Sequence, residues 1–123
     1  MTVYRFEDLL VWKLARELVN DIYSATNNIK DYGYNSQIQR AAISIMNNIA
    51  EGFDRSKNSK DNKLLLNYLN IAYGSCGEVK SMLYTAEDLL YLTSERASQL
   101  RDKSSVLSQK IEAFIKYVRN KDQ

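Results

Sequence analysis

The sequence predicts an all-α fold, an antiparallel up-down four-helix bundle built as one domain over residues 1–123, and three observations carry that reading. The chain has no proline and only four glycines, so the turn residues that an all-β fold needs between many short strands are missing. Apolar residues recur at i, i+3/i+4 spacing in four long segments, which is the helical period. The connections between those segments are short, and short connections make consecutive helices antiparallel neighbours. A chain of 123 residues lies in the single-domain range and can bury roughly two thirds of its unfolded surface in one modest core.

The first helix is expected over residues 6–26, where Phe6, Leu10, Leu14, Leu18 and Ile22 keep helical spacing and Val11, Ala15 and Val19 widen the stripe. It stops in Asn27 and Asn28. A connection containing DYGYN at 31–35 follows, and Ser36 and Gln39 then stand at capping-box spacing, so the second helix is expected over 36–52. At about 100° per residue, Ile38, Ala42, Ile45, Met46, Ile49 and Phe53 fall on one side of it. Arg40, Ser44, Asn47, Asn48, Glu51 and Arg55 fall on the other. Gly52 lacks a Cβ and adopts the left-handed conformation readily, so it is expected to terminate this helix.

The third helix is expected over 59–92, with Leu65, Leu69, Ala72, Cys76, Val79, Leu83, Ala86 and Leu90 in unbroken rhythm. That length is ~50 Å of helix. Gly74 and Gly77 lie inside it, each costing ~1 kcal/mol relative to alanine. Close packing of another helix is the expected compensation, and counting outward from a turn near Lys57 sets Gly74 opposite Arg40. Thr93 and Ser94 offer caps for a fourth helix, whose stripe of Leu100, Val106/Leu107, Ile111, Phe114/Ile115 and Val118 ends in a charged tail at 119–123. The expected core joins Leu14, Leu18, Ile45, Ile49, Leu69, Ala72, Val79, Leu83 and Ile111, with Cys76 a small buried cysteine.

Composition narrows function. With no histidine and one cysteine, the usual general base near neutral pH, the commonest metal ligand, an internal disulfide and a multi-cysteine zinc site are all missing. No catalytic, cofactor-binding or metal-binding residue is assigned, and no cofactor is expected. An enzyme using Glu51 or Glu78 is disfavoured because neither has an accompanying base, nucleophile or metal cluster. No basic-then-apolar N-terminal stretch and no run of ~18–20 apolar residues occurs, so a membrane is not an expected partner and a cytoplasmic location is the default.

Two candidate sites stand out. The first contains NNIAEGF at 47–53, where amides and a carboxylate cluster at the expected end of the second helix. A catalytic acid, a solvated helix end and a polar seam between two copies of the chain are the three readings. Glu51 at the negative end of a helix calls for a partner. Arg55, at i+4 across that end, would pair weakly, and Arg40 lies ~16 Å along the same helix. A neighbouring subunit is therefore expected to supply the partner, making Arg40, Ser44, Asn47, Asn48 and Glu51 candidate oligomer-interface residues. The second is RSKNSKDNK at 55–63, which sets Arg55, Lys57, Lys60 and Lys63 against one acid although the chain's net charge is only +2. These four are candidate nucleic-acid contacts, with a solvated turn and helix start as the other reading of the same stretch. The competing reading, a protein-binding scaffold, needs only surface aromatics such as Tyr32, Tyr34, Tyr73 and Tyr84.

The block SQIQRAAISI at 36–45, NIAEG at 48–52 and IAYGS at 71–75 with Glu78, together with FEDL at 6–9 leading through Trp12 and Ala15 to Ile22 and Tyr23, resembles the four-helix-bundle proteins encoded by intervening sequences in bacterial 23S ribosomal RNA genes. The resemblance covers nearly the whole chain. Met46 stands where that family often has proline, and residues 28–31 lack the Phe-Pro often seen before the second helix. The resemblance implies an antiparallel four-helix bundle, a homopentamer, and similarity to accessory proteins of diversity-generating retroelements that act beside a reverse transcriptase and bind nucleic acid. It brings no catalytic residue set. RNA or a ribosome-related partner is what it suggests.

Overall fold

The computed structural model describes residues 3–121; residues 1 and 2, and residues 122 and 123 of the expected charged tail, lie outside the described residues. A single 3-10 turn, Phe6–Asp8, precedes four helices: α1 (Leu10–Thr26), α2 (Tyr32–Ser56), α3 (Lys63–Asp88) and α4 (Ser94–Lys121). No strand occurs among the described residues. Each helix packs on its sequence neighbours, and α1 closes the square against α4. Ser44 faces Ser75 and Glu51 faces Tyr68 across α2 and α3, and Ser104 faces Cys76 across α4 and α3. Numbers rise along one helix as they fall along the next, so the neighbours are antiparallel.

One cluster of buried side chains runs through all four helices and includes Leu18, Ile45, Ile49, Leu69, Ala72, Val79, Leu83 and Ile111. Leu14, expected among them, is only partly buried and packs against the cluster's edge. Leu9 is extended, with ψ 129°, and separates the 3-10 turn from α1. Phe6 therefore leaves the stripe and meets Trp12 edge-on at 5.2 Å between centroids. Burial in α1 centres on Val11, Ala15, Leu18 and Ile22, while Leu10 is 56% exposed. Cys76 is buried as expected, and burial pushes its thiol up to about 12.

The second helix starts one turn earlier than the capping-box spacing predicts. Asp31 is the N-cap, its Oδ1 accepting from the Tyr34 N–H at 3.0 Å. Contacts far away in sequence hold that extra turn. The Tyr34 hydroxyl donates to the Met82 carbonyl at 2.6 Å, and Asn35 Nδ2 donates to the carbonyls of Ile29 at 2.7 Å and Thr26 at 3.3 Å. Gln39 is no cap; its amide donates to Thr26 Oγ1 at 3.0 Å. Met46 sits within an unbroken helix.

Gly52 does not end α2. No glycine has positive φ, and the helix runs on to Ser56. A Cβ at Gly52 would lie 2.5 Å from the Tyr68 Cβ, so glycine here admits the close approach of α3. Gly74 and Gly77 reverse the expectation in the other direction: a Cβ at either meets nothing within 4 Å, so no helix of this chain packs closely on them.

The third helix is shorter than expected at both ends. Asp61 Oδ1 accepts the Lys63 N–H at 3.0 Å, leaving residues 59–62 in the turn. At the other end Leu90 takes the left-handed conformation with φ 61°. Its N–H donates to the Glu87 carbonyl at 3.1 Å, and the Tyr91 N–H donates to the Ala86 carbonyl at 2.8 Å, which satisfies carbonyls that the helix end leaves open. Thr93 caps α4 as expected, its Oγ1 accepting the Arg96 N–H at 3.1 Å.

Candidate nucleic-acid and subunit interfaces

The basic turn lies at the end of the bundle where α2 and α4 finish and α3 begins. Its four cations divide into two kinds. Arg55 Nη2 is 2.8 Å from Glu51 Oε1, and its guanidinium lies 5.9 Å from the Tyr68 ring centroid. Lys57 Nζ is 3.5 Å from Asp54 and 5.3 Å from the Phe53 ring. Lys60 and Lys63 are exposed, and neither side chain has a carboxylate partner among the described residues.

Most of the described carboxylates at this end are paired with cations. Arg5 takes Glu7 and Asp8, and Lys116 takes Glu112 at 3.8 Å; Asp61 accepts the Lys63 N–H and stays the one acid of the turn itself. α4 adds two cations that the reading of the turn omitted. Arg119 is exposed without a carboxylate partner among the described residues, and Lys121 Nζ lies 5.4 Å from the Tyr117 ring. Among the described residues, positive charge without a carboxylate pair thus exceeds the single charge of Asp61 around Lys60, Lys63, Arg119 and Lys121.

The same end holds a half-open cavity of about 230 Å³, lined by Val3, Leu9, Phe53, Asn62, Leu65, Phe114, Tyr117, Val118 and Lys121. Phe114 and Tyr117 stack with 21° between their planes and centroids 6.5 Å apart. Its signal in the sequence is the pair of aromatics three residues apart near the end of α4, with Lys121 one turn beyond, a pattern that the apolar period of the same helix hides.

The polar stripe of α2 runs along the outer seam between α2 and α3. Ser44 and Ser75 hydroxyls are 3.0 Å apart, and Asn48 Nδ2 donates to the Ser44 carbonyl at 2.8 Å and to its hydroxyl at 3.0 Å. Gln37 reaches Glu78 at 3.5 Å. Arg40, Asn47 and Glu51 are exposed. Because α2 continues past Gly52, the Glu51 to Arg55 pair spans a complete helical turn, and the Tyr68 hydroxyl donates to Glu51 at 3.4 Å. Glu51 therefore finds partners within its own chain, which removes the need for a neighbouring arginine on which its interface role was argued. An open groove of about 440 Å³ lies beside the stripe, lined by Gly33, Ser36, Gln37, Arg40, Ala41, Ser44, Ser75 and Glu78.

Glu78 lines that groove and Glu51 does not, so the two glutamates share no cleft. Among the described residues no group of three or more His, Cys, Asp or Glu side chains is arranged to hold a metal, and no helix is long and apolar enough to cross a membrane. Of the four tyrosines expected at the surface, Tyr34 is buried and bonded to Met82, which corrects its place in the scaffold reading. Tyr73 reaches Glu112 at 3.3 Å, Tyr84 carries the Arg101 guanidinium 4.1 Å from its ring centroid, and Tyr32 is 77% exposed.

The family model for the 23S rRNA-intervening sequence protein matches residues 7–113. A crystal structure of a protein with unknown function from the S23 ribosomal protein family of Bacteroides thetaiotaomicron VPI-5482 superposes with a TM-score of 0.77 at 24% identity, covering 87% of this chain and 99% of that one. At that identity the likeness carries the fold. No curated protein matches the chain. Neither match names a catalytic activity.

Proposed function

The chain belongs to the 23S rRNA-intervening sequence protein family, and from that premise we propose that it is a non-enzymatic homo-oligomeric module that contacts RNA through the basic end of its bundle. The leftover charge carries this reading. Lys60, Lys63 and Arg119 keep no carboxylate partner among the described residues while Glu51, Asp54 and Glu112 nearby are paired. A ring of subunits, a pentamer as the family resemblance implies, repeats that patch and multiplies phosphate contacts. Such a module works in the cytoplasm, beside RNA.

Assembly draws its support from the exposed glycines rather than from Glu51. Gly74 and Gly77 each cost α3 ~1 kcal/mol, yet among the described residues no other group lies within 4 Å of a Cβ placed at either. They lie on α3 beside Ser75, which meets the polar stripe through Ser44, so a second copy approaching there accounts for both the small residues and the short hydrogen-bonding groups of Arg40, Ser44, Asn47, Asn48 and Glu51.

Two measurements test the reading. In salt titrations of RNA binding, Lys60→Ser and Lys63→Ser lower the slope by about 0.7–0.9 per contact removed, whereas Lys57→Ser, whose ammonium is tied to Asp54, changes it less. In light scattering, Gly74→Leu lowers the assembly mass while helicity stays constant, because the added side chain enters space that is open in the single chain. A wild-type protein of monomer mass overturns the assembly. Absence of RNA binding at low salt overturns the RNA contact and favours a protein-binding scaffold, for which the opposite end offers exposed Tyr32, Leu89 and Leu90.

A further inference from the structure

Among the described residues, the side chains at the basic end of the bundle leave a cavity between them. That cavity, of about 230 Å³, is several times the ~30 Å³ that a water molecule takes up in the liquid. The walls combine the aromatic rings of Phe53, Phe114 and Tyr117 with aliphatic side chains and the polar Asn62 and Lys121, and Leu9 and Leu65 are buried beneath. Tyr117 is 55% exposed, so part of its surface remains uncovered. The Lys121 ammonium stands at the rim, 5.4 Å from the Tyr117 ring, and Lys60 and Lys63, whose side chains have no carboxylate partner among the described residues, lie on the adjoining turn.

These features select a ligand by chemistry. Aromatic walls favour a flat ring that can stack on them, and a rim of cations favours an anion attached to that ring. An aliphatic side chain from a protein partner would fill the walls and leave the cations unanswered. A duplex would satisfy the cations with phosphate, but its bases are stacked inside and unavailable. A nucleotide within an unpaired strand answers both.

We propose that this end cavity receives an unpaired nucleobase of a single-stranded nucleic acid whose phosphates run over Lys60, Lys63 and Lys121. The inference rests on the RNA-contact reading above and names the form of ligand that the same site takes. The lysines hold the backbone without regard to sequence, and the aromatic cavity makes the site prefer single strands over duplexes.

Fluorescence anisotropy with labelled strands of about 12 nucleotides, within the span of known single-strand sites, tests it. The probes are oligouridylate, oligoadenylate, a DNA strand of matching sequence, a strand of abasic sugar-phosphate units and an RNA duplex. Single strands are expected to bind more tightly than the duplex and the abasic strand, and the RNA and DNA arms reveal whether the 2′-hydroxyl contributes. Phe114→Leu and Tyr117→Ser are expected to weaken single-strand binding about 5- to 150-fold with an unchanged salt slope, because neither removes a phosphate contact. Tyr117, being exposed, keeps the test sound should Phe114→Leu disturb the fold, and circular dichroism checks both. Equal affinity for single-stranded, abasic and duplex probes, with the lysine-dependent slope retained, overturns the base cavity and leaves the RNA contact standing. No binding of any probe at low salt overturns both.

Discussion

Gly52→Ala is the sharpest test of how α2 and α3 meet. A Cβ built at Gly52 lies 2.5 Å from the Tyr68 Cβ and 3.1 Å from its Cγ. Ordinary contact begins at 3.4 Å, so the two helices must part locally by about 0.9 Å. No rotamer change relieves the clash, because the Tyr68 Cβ is fixed to its own backbone. Alanine returns ~1 kcal/mol of helix propensity, and overpacking of this kind costs ~1–3 kcal/mol. A rigid obstruction lies at the upper end of that range, which leaves a net loss of ~1–2 kcal/mol. Urea unfolding followed by far-ultraviolet circular dichroism, at one protein concentration because assembly shifts apparent stability, reads this as a lower midpoint at unchanged slope. Gly74→Ala serves as the matched control: a Cβ there meets nothing within 4 Å, so the substitution gains ~1 kcal/mol within the single chain. If Gly52→Ala proves as stable as the wild type, the close approach is not a constraint and the account of why α2 carries glycine there is wrong.

Leu83 is 1% exposed in the C-terminal part of α3, so Leu83→Ala should cost ~2–5 kcal/mol in the same assay; a loss below ~0.5 kcal/mol would put that side chain at the surface. Leu90→Gly should stabilise the chain by ~1 kcal/mol, since Leu90 holds φ 61° and is 87% exposed, leaving little packing to lose. The Cys76 thiol, pushed up to about 12 by burial, should stay unmodified by a thiol-reactive disulfide at neutral pH until the protein is unfolded. Tyr34 is pushed up to about 12, first by burial and then by Tyr91 and Asp31, whereas an unfolded tyrosine ionises near 10. The unfolded chain therefore releases that proton first. The stability contributed is full below about pH 10 and is lost as pH rises toward 12; Tyr34→Phe should flatten this decline in alkaline unfolding.

Four helices, their interiors and most of the core were legible because burial in a bundle repeats with the helical period. Ile45, Ile49, Leu69, Val79, Leu83 and Ile111 occupy the positions that spacing alone assigns them. Helix ends were less so. Ser36 and Gln39 have the residue types and spacing of a cap, yet Asp31 takes that role because Tyr34 reaches Met82, 48 positions away, and Asn35 clamps the preceding loop. Phe6 shares the stripe's period but leaves it once Leu9 separates it from α1, and Leu10, in α1 itself, lies outside the buried face that Val11, Ala15, Leu18 and Ile22 form.

The site divides in the same way. A run of cations at 55–63 is a property of the sequence, but which of them remain available depends on the carboxylates one turn away and on the helices brought alongside. α2 continues past Gly52, so Glu51 takes Arg55 and Asp54 takes Lys57; the antiparallel return of α4 carries Tyr117 and Lys121 to the end where Phe53 waits. The glycines show the division most plainly. Local chemistry permits any of them to end a helix, to admit a neighbour or to leave a surface bare, since all three uses require only that a Cβ be absent. The position of α3 makes Gly52 a point of close approach and leaves Gly74 and Gly77 open, because steric contact depends on distance between backbones that are far apart along the chain.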